Sequence, residues 1–512
     1  MKNKKVHRDI KCIHQLVEVF FEHVYIKYRK TALSKNSIET WREIKMELKN
    51  ITGKALTRIR SLLTFGLAVT YLGNLLMRSQ ALEDLIIVLM IIVILLGFTA
   101  VTGSSKIIGY LSFAVSIALL LYFDAPLSVW RQALQDNLFL VVMFIMVPLM
   151  GIPIQHGGYT PALQSLFERH VNSNSRYYLL VSFLSAFIGV LVSLAVVPLV
   201  YQVCRNSSRS SDHKLLSSAI SRGFSTCIIW APTTAAIALV VQLTGSTWLA
   251  FFPLAISCGI IVGAVGFVMT VFEEKQKKKQ ERSCPVEDVS LGGDFDLKKL
   301  VELGAFSIVL IIGIGVISWV SGISAIIVVS VLALIYPMIW LILIKRLPVF
   351  FREFKGDYFH NRLPSIKNEM ILFVGAGLLA NSINYSHLGD YVPQILSYLV
   401  GHNGLLLTLV IIGSTLCLAA LGVHPIATVT IFGGTIKAAA YGVSPTYLAL
   451  VLAISWAMGT SISPSAANVI AVSSIVGESP LQVGIRWNGP YVILATLVLV
   501  VFLTGMRLLG VL

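Results

Sequence analysis

Between Gly459 and Asn468 the chain reads Gly-Thr-Ser-Ile-Ser-Pro-Ser-Ala-Ala-Asn inside an otherwise apolar segment. Pro464 has no amide hydrogen, so helix carbonyls near it lose their partners. In hydrocarbon such groups must be met by protein, water or an ion. Thr460, Ser461, Ser463 and Asn468 add side-chain oxygens, the donors that hard cations take. The expected chemistry is binding of a hard cation, with no other cofactor or metal. The competing expectation is structural, because small hydroxyl residues also let helices approach closely.

A second copy lies upstream. Ala219-Ile220-Ser221 precedes Thr226 and Ala231-Pro232-Thr233-Thr234-Ala235, as Ala453-Ile454-Ser455 precedes Thr460 and Ser463-Pro464-Ser465-Ala466-Ala467. Pro232 and Pro464 are 232 positions apart, and so are Gly245 and Gly477. Matching flanks argue for an internal repeat. Thr226 and Thr233 are then ion-binding candidates too, although Ile228, Ile229 and Trp230 make this the poorer copy.

Four residues are substrate-binding candidates. His424, in Gly422-Val423-His424-Pro425, is an ionisable group at an expected intramembrane turn, by default a functional position. It either meets solute or proton, or is satisfied by neighbouring carbonyls. Arg222 either neutralises an anionic solute or snorkels to the interface beside Lys214. Asn381 and Asn384 either contact solute or bridge helices. Carboxylates are nearly absent from the expected core spans, which speaks against a proton antiporter built on buried Asp or Glu. No acid–base or nucleophile–base pair is readable, so no enzyme is expected.

The elements that must position these residues are membrane helices. The chain has 512 residues, 56% hydrophobic and 13% charged, and apolar runs of spanning length recur. The net charge of +15 fits cytoplasmic loops rich in Lys and Arg and not nucleic acid, since no basic-aromatic interleaving accompanies it. The six cysteines show no metal spacing. No apolar run with a cleavage site follows the basic start, so no signal peptide is expected.

Residues 1–60 form two amphipathic helices, a cytoplasmic extension that lies on membrane lipid or packs on itself. One carries Ile10, Ile13, Val17, Phe20 and Val24 on a face. The other starts at Asn36, with Glu39 as its capping partner. Residues 61–136 hold N-terminal scaffold spans, and 137–272 the first transport repeat. A cytoplasmic linker covers 273–299, further scaffold spans and a basic loop 300–368, and the second repeat 369–512. Within each repeat the order is span, re-entrant hairpin, broken helix, span. The hairpins fall at 177–204, where the alternative is an ordinary span kinked by Pro198, and 404–440, the broken helices at 215–243 and 445–473. With the basic N-terminus inside, loops 205–214, 273–299 and 345–367 also fall inside, as their charge requires. The two copies then have opposite orientation, and the C-terminus is outside. The fold class expected is an all-α polytopic membrane protein with an inverted repeat, about 11 spans plus two hairpins.

That order of parts, with the Ala-Ile-Ser…Thr…Ser-Pro-Ser-Ala-Ala-Asn pattern, resembles the ion transporter superfamily. It includes divalent anion/sodium symporters and arsenite and sodium/proton antiporters. The resemblance covers about 137–510. It implies sodium at the helix breaks, elevator-like alternating access and a homodimer formed through the scaffold. Dicarboxylate symporters of this kind carry Ser-Asn-Thr at the hairpin tips; here the tips read Ser193-Leu194-Ala195 and Leu421-Gly422-Val423.

The function expected is a secondary transporter of a small polar or anionic solute in the cell membrane, coupled to sodium or protons. The alternatives are efflux of a metalloid oxyanion or sodium, and handling of a lipid-linked precursor.

Overall fold

The computed structural model describes residues 37–205, 207–280 and 296–512. The first amphipathic helix, the Asn36 cap and most of the linker lie outside these residues. The chain divides into two compact units, Met1–Arg60 and Ser61–Leu512.

Among the described residues the structure is helical, with no strand. α1 (Ser37–Met77), α2 (Gln80–Phe98) and α3 (Ser104–Tyr122) come first. The sequence suggested an amphipathic helix ending before the first span; instead one helix covers both stretches. Next are α4 (Leu127–Gln135), α5 (Leu138–Met146), a 3₁₀ turn at Val147–Met150, α6 (Gly151–His156) and α7 (Tyr159–His170). The first hairpin is α8 (Asn174–Val192) and α9 (Val196–Cys204), broken at Ser193. The first broken helix is α10 (His213–Trp230) and α11 (Ala235–Thr244), followed by α12 (Trp248–Gln280).

Beyond the linker stand α13 (Leu297–Ser321) and α14 (Ala325–Leu343). The basic loop is helical rather than open: α15 (Leu347–Glu353), a π-helix over Phe354–Arg362 and α16 (Leu363–Ser365). Its apolar residues explain this, since Phe65, Phe354, Tyr358 and Phe359 stack edge and face against one another.

The order then repeats. α17 (Lys367–Tyr385) and α18 (Tyr391–Val400) lead to a hairpin of α19 (Gly404–Ala420) and α20 (Pro425–Thr435). A broken helix of α21 (Pro445–Ile462) and α22 (Ala467–Val476) follows, and α23 (Asn488–Leu508) after a π-helix at Gln482–Trp487. Among the described residues eleven stretches are long and apolar enough to cross a membrane, and two bent pairs pass the same test when each is taken together. The chain is an all-α polytopic membrane protein.

Both breaks have the same backbone. Ala231 (φ −75°, ψ 124°) and Thr234 (ψ 140°) flank Pro232 and Thr233 in extended conformation. Ser463 (φ −71°, ψ 121°) and Ala466 (ψ 135°) do the same around Pro464 and Ser465. Each following helix ends on a left-handed glycine, Gly245 or Gly477, where the missing Cβ removes the strain of positive φ. Side-chain caps start the broken helices: Asp212 accepts from Leu215 N–H at 3.0 Å, and Ser444 from Tyr447 N–H at 3.0 Å.

Packing between the copies is reciprocal. The returning arm of the first hairpin, α9, lies on α22, and its counterpart α20 lies on α11. Likewise α11 lies on α21 and α22 on α10, while α10 and α21 pack on each other. Exchanged contacts of this kind are what a two-fold relation between copies produces.

Candidate functional site

The two broken helices meet at Ser225 and Ser461, whose hydroxyl oxygens touch. Ser225 also donates to Ser221 O at 2.9 Å, and Ser461 to Ala457 O at 3.0 Å. Thr460 donates to Ala457 O at 2.9 Å, and Thr226 to Arg222 O at 3.0 Å. Thr460 and Thr226 thus spend their protons on the helix and retain lone pairs, whereas one of Ser225 and Ser461 turns its proton to the other. Ser463 and Ser465 pair at 3.0 Å within the break. Asn468 opens α22 and is buried, and its Nδ2 has no partner.

Thr233, in the first break, donates to Val190 O, three residues before the bend of the first hairpin. It also faces a cavity of about 680 Å³. Ser193, Ala195 and Pro198 of the hairpin tip form another part of that wall, and Ala471 of α22 closes it. Ser193 has φ 50°, the left-handed region, where a non-glycine residue is strained and such strain clusters at ligand-binding positions.

The wall also carries polar residues that were not site candidates in the sequence, among them Gln155, Arg362 and Glu369. Arg362 donates from Nε to Asp357 at 2.6 Å, from one terminal nitrogen to Pro148 O at 3.2 Å, and from the other to Gln155. Gly151 makes room for it, since a Cβ there would lie 2.9 Å from the guanidinium. The 3₁₀ turn after α5 and the π-helix before α16 bring these two segments to one place. Glu369 sits in the first turn of α17. The expectation that carboxylates are nearly absent from the core therefore misses one at the cavity wall. His156 also lies there, with Nε2 3.5 Å from Glu353.

His424 caps α20, its Nδ1 accepting from Ile426 N–H at 3.2 Å. That bond fixes the tautomer, because a nitrogen that accepts carries no proton, so the neutral ring is protonated on Nε2. The ring stands edge-on to Trp456 at 6.3 Å. Next to it Pro425 packs on Gly459, where a Cβ would meet Pro425 at 2.8 Å.

The structure does not bring the other candidates to the large cavity. Arg222 does not snorkel. It is 4% exposed and donates to Asn488 Oδ1 and Trp487 O, both at 3.1 Å, with Tyr491 under its guanidinium at 4.6 Å. Asn381 donates to Asp136 at 2.6 Å and to Gly377 O, so it bridges helices. Asn384 lines a separate, narrow apolar groove with Ile426 and Thr430. Among the described residues no group of three His, Cys, Asp or Glu could hold a metal ion.

No protein-family model matches the chain, and no curated protein matches it. Among solved structures it is similar to the Alcanivorax borkumensis YdaH transporter, a protein described as having an unusual topology. The TM-score is 0.52 and the identity 17%, over 80% of this chain and 90% of the other. At that identity the likeness is one of fold, the fold of a membrane transporter.

Proposed function

We propose that the protein is a secondary active transporter that moves a small polar or anionic solute across the cell membrane. The observation that carries this is the meeting of two Pro-broken helices at Ser225 and Ser461 in a fold whose large cavity is walled by a hairpin tip and a helix break. Interrupted helices paired in this way are how carriers hold solute and coupling ion without a dedicated cofactor. The reciprocal packing of the copies supports a two-fold relation. The basic loops support an inverted one, with the N-terminus cytoplasmic and the C-terminus outside. Solute binds between the tip at Ser193 and the break at Thr233, where α11 offers the positive end of its dipole. Thr460, Ser461, Ser463 and Asn468 form a cation-binding candidate in the second copy. The broken helices and hairpins move as one unit against the remaining spans, which also form the homodimer contact.

A thermal-shift screen of carboxylates, phosphates, oxyanions and amino acids, with and without sodium, tests this reading. A bound solute stabilises the folded state by mass action. A stabilising solute should then show counterflow in proteoliposomes. Stabilisation by several solutes with counterflow of none would overturn the proposal.

A further inference from the structure

We propose that Glu369 is the proton carrier of the 680 Å³ cavity, which makes a proton the ion coupled to solute movement. The inference rests on the carrier reading above.

Glu369 lines the cavity, yet its Oε2 is enclosed and accepts no hydrogen bond. No other carboxylate oxygen among the described residues is enclosed without a partner. The nearby acids are engaged: Asp357 by Arg362 and Asn361, and Glu353 by Arg352 and His156. An ionised oxygen closed off from water and donors is costly, and a proton removes that cost. A metal cation needs several oxygens around it, whereas a proton needs one.

The surroundings also let the proton leave. Glu369 occupies the first turn of α17, where the helix dipole favours negative charge. Arg362 and His156 share the cavity wall, and Lys367 lies two residues earlier on the same helix. The donors of Arg362 go to Asp357, Pro148 O and Gln155, so it does not bond to Glu369, and Lys367 is the cation whose charge favours ionisation there. The other elements at this end bring little charge. α5 contributes Met143 and Phe144, and α9 contributes Pro198, Leu199 and Gln202. α2 and α3 meet α17 through Gly97 and Gly109, and Lys106 of α3 lies over the Tyr110 ring at 5.7 Å. A group with opposing influences of this kind can change state within a transport cycle, as intramembrane carboxylates in pumps and transporters do.

Dicyclohexylcarbodiimide, an apolar reagent that modifies protonated carboxyls in apolar surroundings, gives a test that needs no solute. Full-length protein in proteoliposomes is treated across a pH series and digested, and the Glu369 peptide is read by mass spectrometry. Glu369 should be modified, and labelling should fall about tenfold per pH unit once the group ionises. Replacing choline by sodium at fixed pH should change nothing, and Glu369→Gln should abolish the label. No modification at any pH, with solute counterflow intact, would overturn the inference and leave the carrier reading standing. Protection by sodium would overturn it in favour of a metal cation. Labelling without counterflow of any solute would instead remove the carrier reading.

Discussion

Arg222 donates to Asn488 across 266 positions of sequence, tying the middle of α10 to the start of the last span at 3.1 Å. Trp487 O and the faces of Tyr178 and Tyr491 complete the cage. A lysine has neither the planar fork nor the stacking face to replace this. Arg222→Lys should cost about 1–3 kcal/mol, since Asn488 and Trp487 O lose a buried partner. Asn488→Ala combined with Arg222→Lys should cost less than the two separately, because the pair is coupled. Thermal unfolding of the purified single and double variants measures both.

Gly223 follows Arg222 on the side of α10 that meets α8. A Cβ there would run into the Ser182 carbonyl oxygen and come within 2.7 Å of its Cα. Those atoms are backbone and cannot swing aside. Gly223→Ala should therefore cost about 1–3 kcal/mol by overpacking. Gly263 of α12 has nothing within 4 Å of the same position. Gly263→Ala should be neutral or stabilise by up to about 1 kcal/mol through helix propensity. Unfolding midpoints that rank the two alike would contradict this packing.

The parts of the fold legible in sequence are those fixed by local covalent chemistry. Pro232 and Pro464 interrupt their helices because proline removes a donor wherever it stands, and both interruptions lie where the residue pattern puts them. The helix interruptions at Ser193 and before His424 likewise lie at the expected tips. What depends on distant partners was not legible. Arg222 shows its charge in the sequence but not Asn488, so burial could not be told from snorkelling. Glu369 reads as the polar edge of a span, and only the fold sets it on a cavity wall with Arg362 and Gln155. The π-helices at Phe354–Arg362 and Gln482–Trp487 follow no known residue spacing, yet each positions a buried or half-buried arginine contact.

Asp212 caps α10 and meets Lys277 at 3.0 Å. Burial works against its charge, but the Leu215 N–H and the Lys277 and Lys214 ammoniums outweigh that and hold the carboxyl below its ordinary value. A depressed carboxylate adds stability that is present above the unfolded pKa of about 3.9 and lost as pH falls through the lower folded value. Asp212→Ala should cost about 1 kcal/mol at neutral pH through the lost cap. Asp212→Asn keeps the cap and cannot titrate, so its unfolding midpoint should fall less steeply below about pH 4. Identical acid profiles for wild type and Asp212→Asn would show that this carboxylate does not contribute.

Ser225 and Ser461 touch at the contact between the two copies, so cysteines there are close enough to join, given the usual reach of a disulfide. In a background without the native cysteines, Ser225→Cys with Ser461→Cys should lose both free thiols on mild oxidation, as read by maleimide labelling. The carrier model then separates two kinds of motion. If both broken helices travel together as one unit, the cross-link joins parts that keep their distance, and solute counterflow should survive within about twofold. If instead one copy rocks against the other, the same bond spans the moving contact. Counterflow would then stop on oxidation and return on reduction. The packing of α10 on α21, with α9 on α22 and α20 on α11, leaves no plane between the copies that could open without breaking all three, and this favours the joint movement.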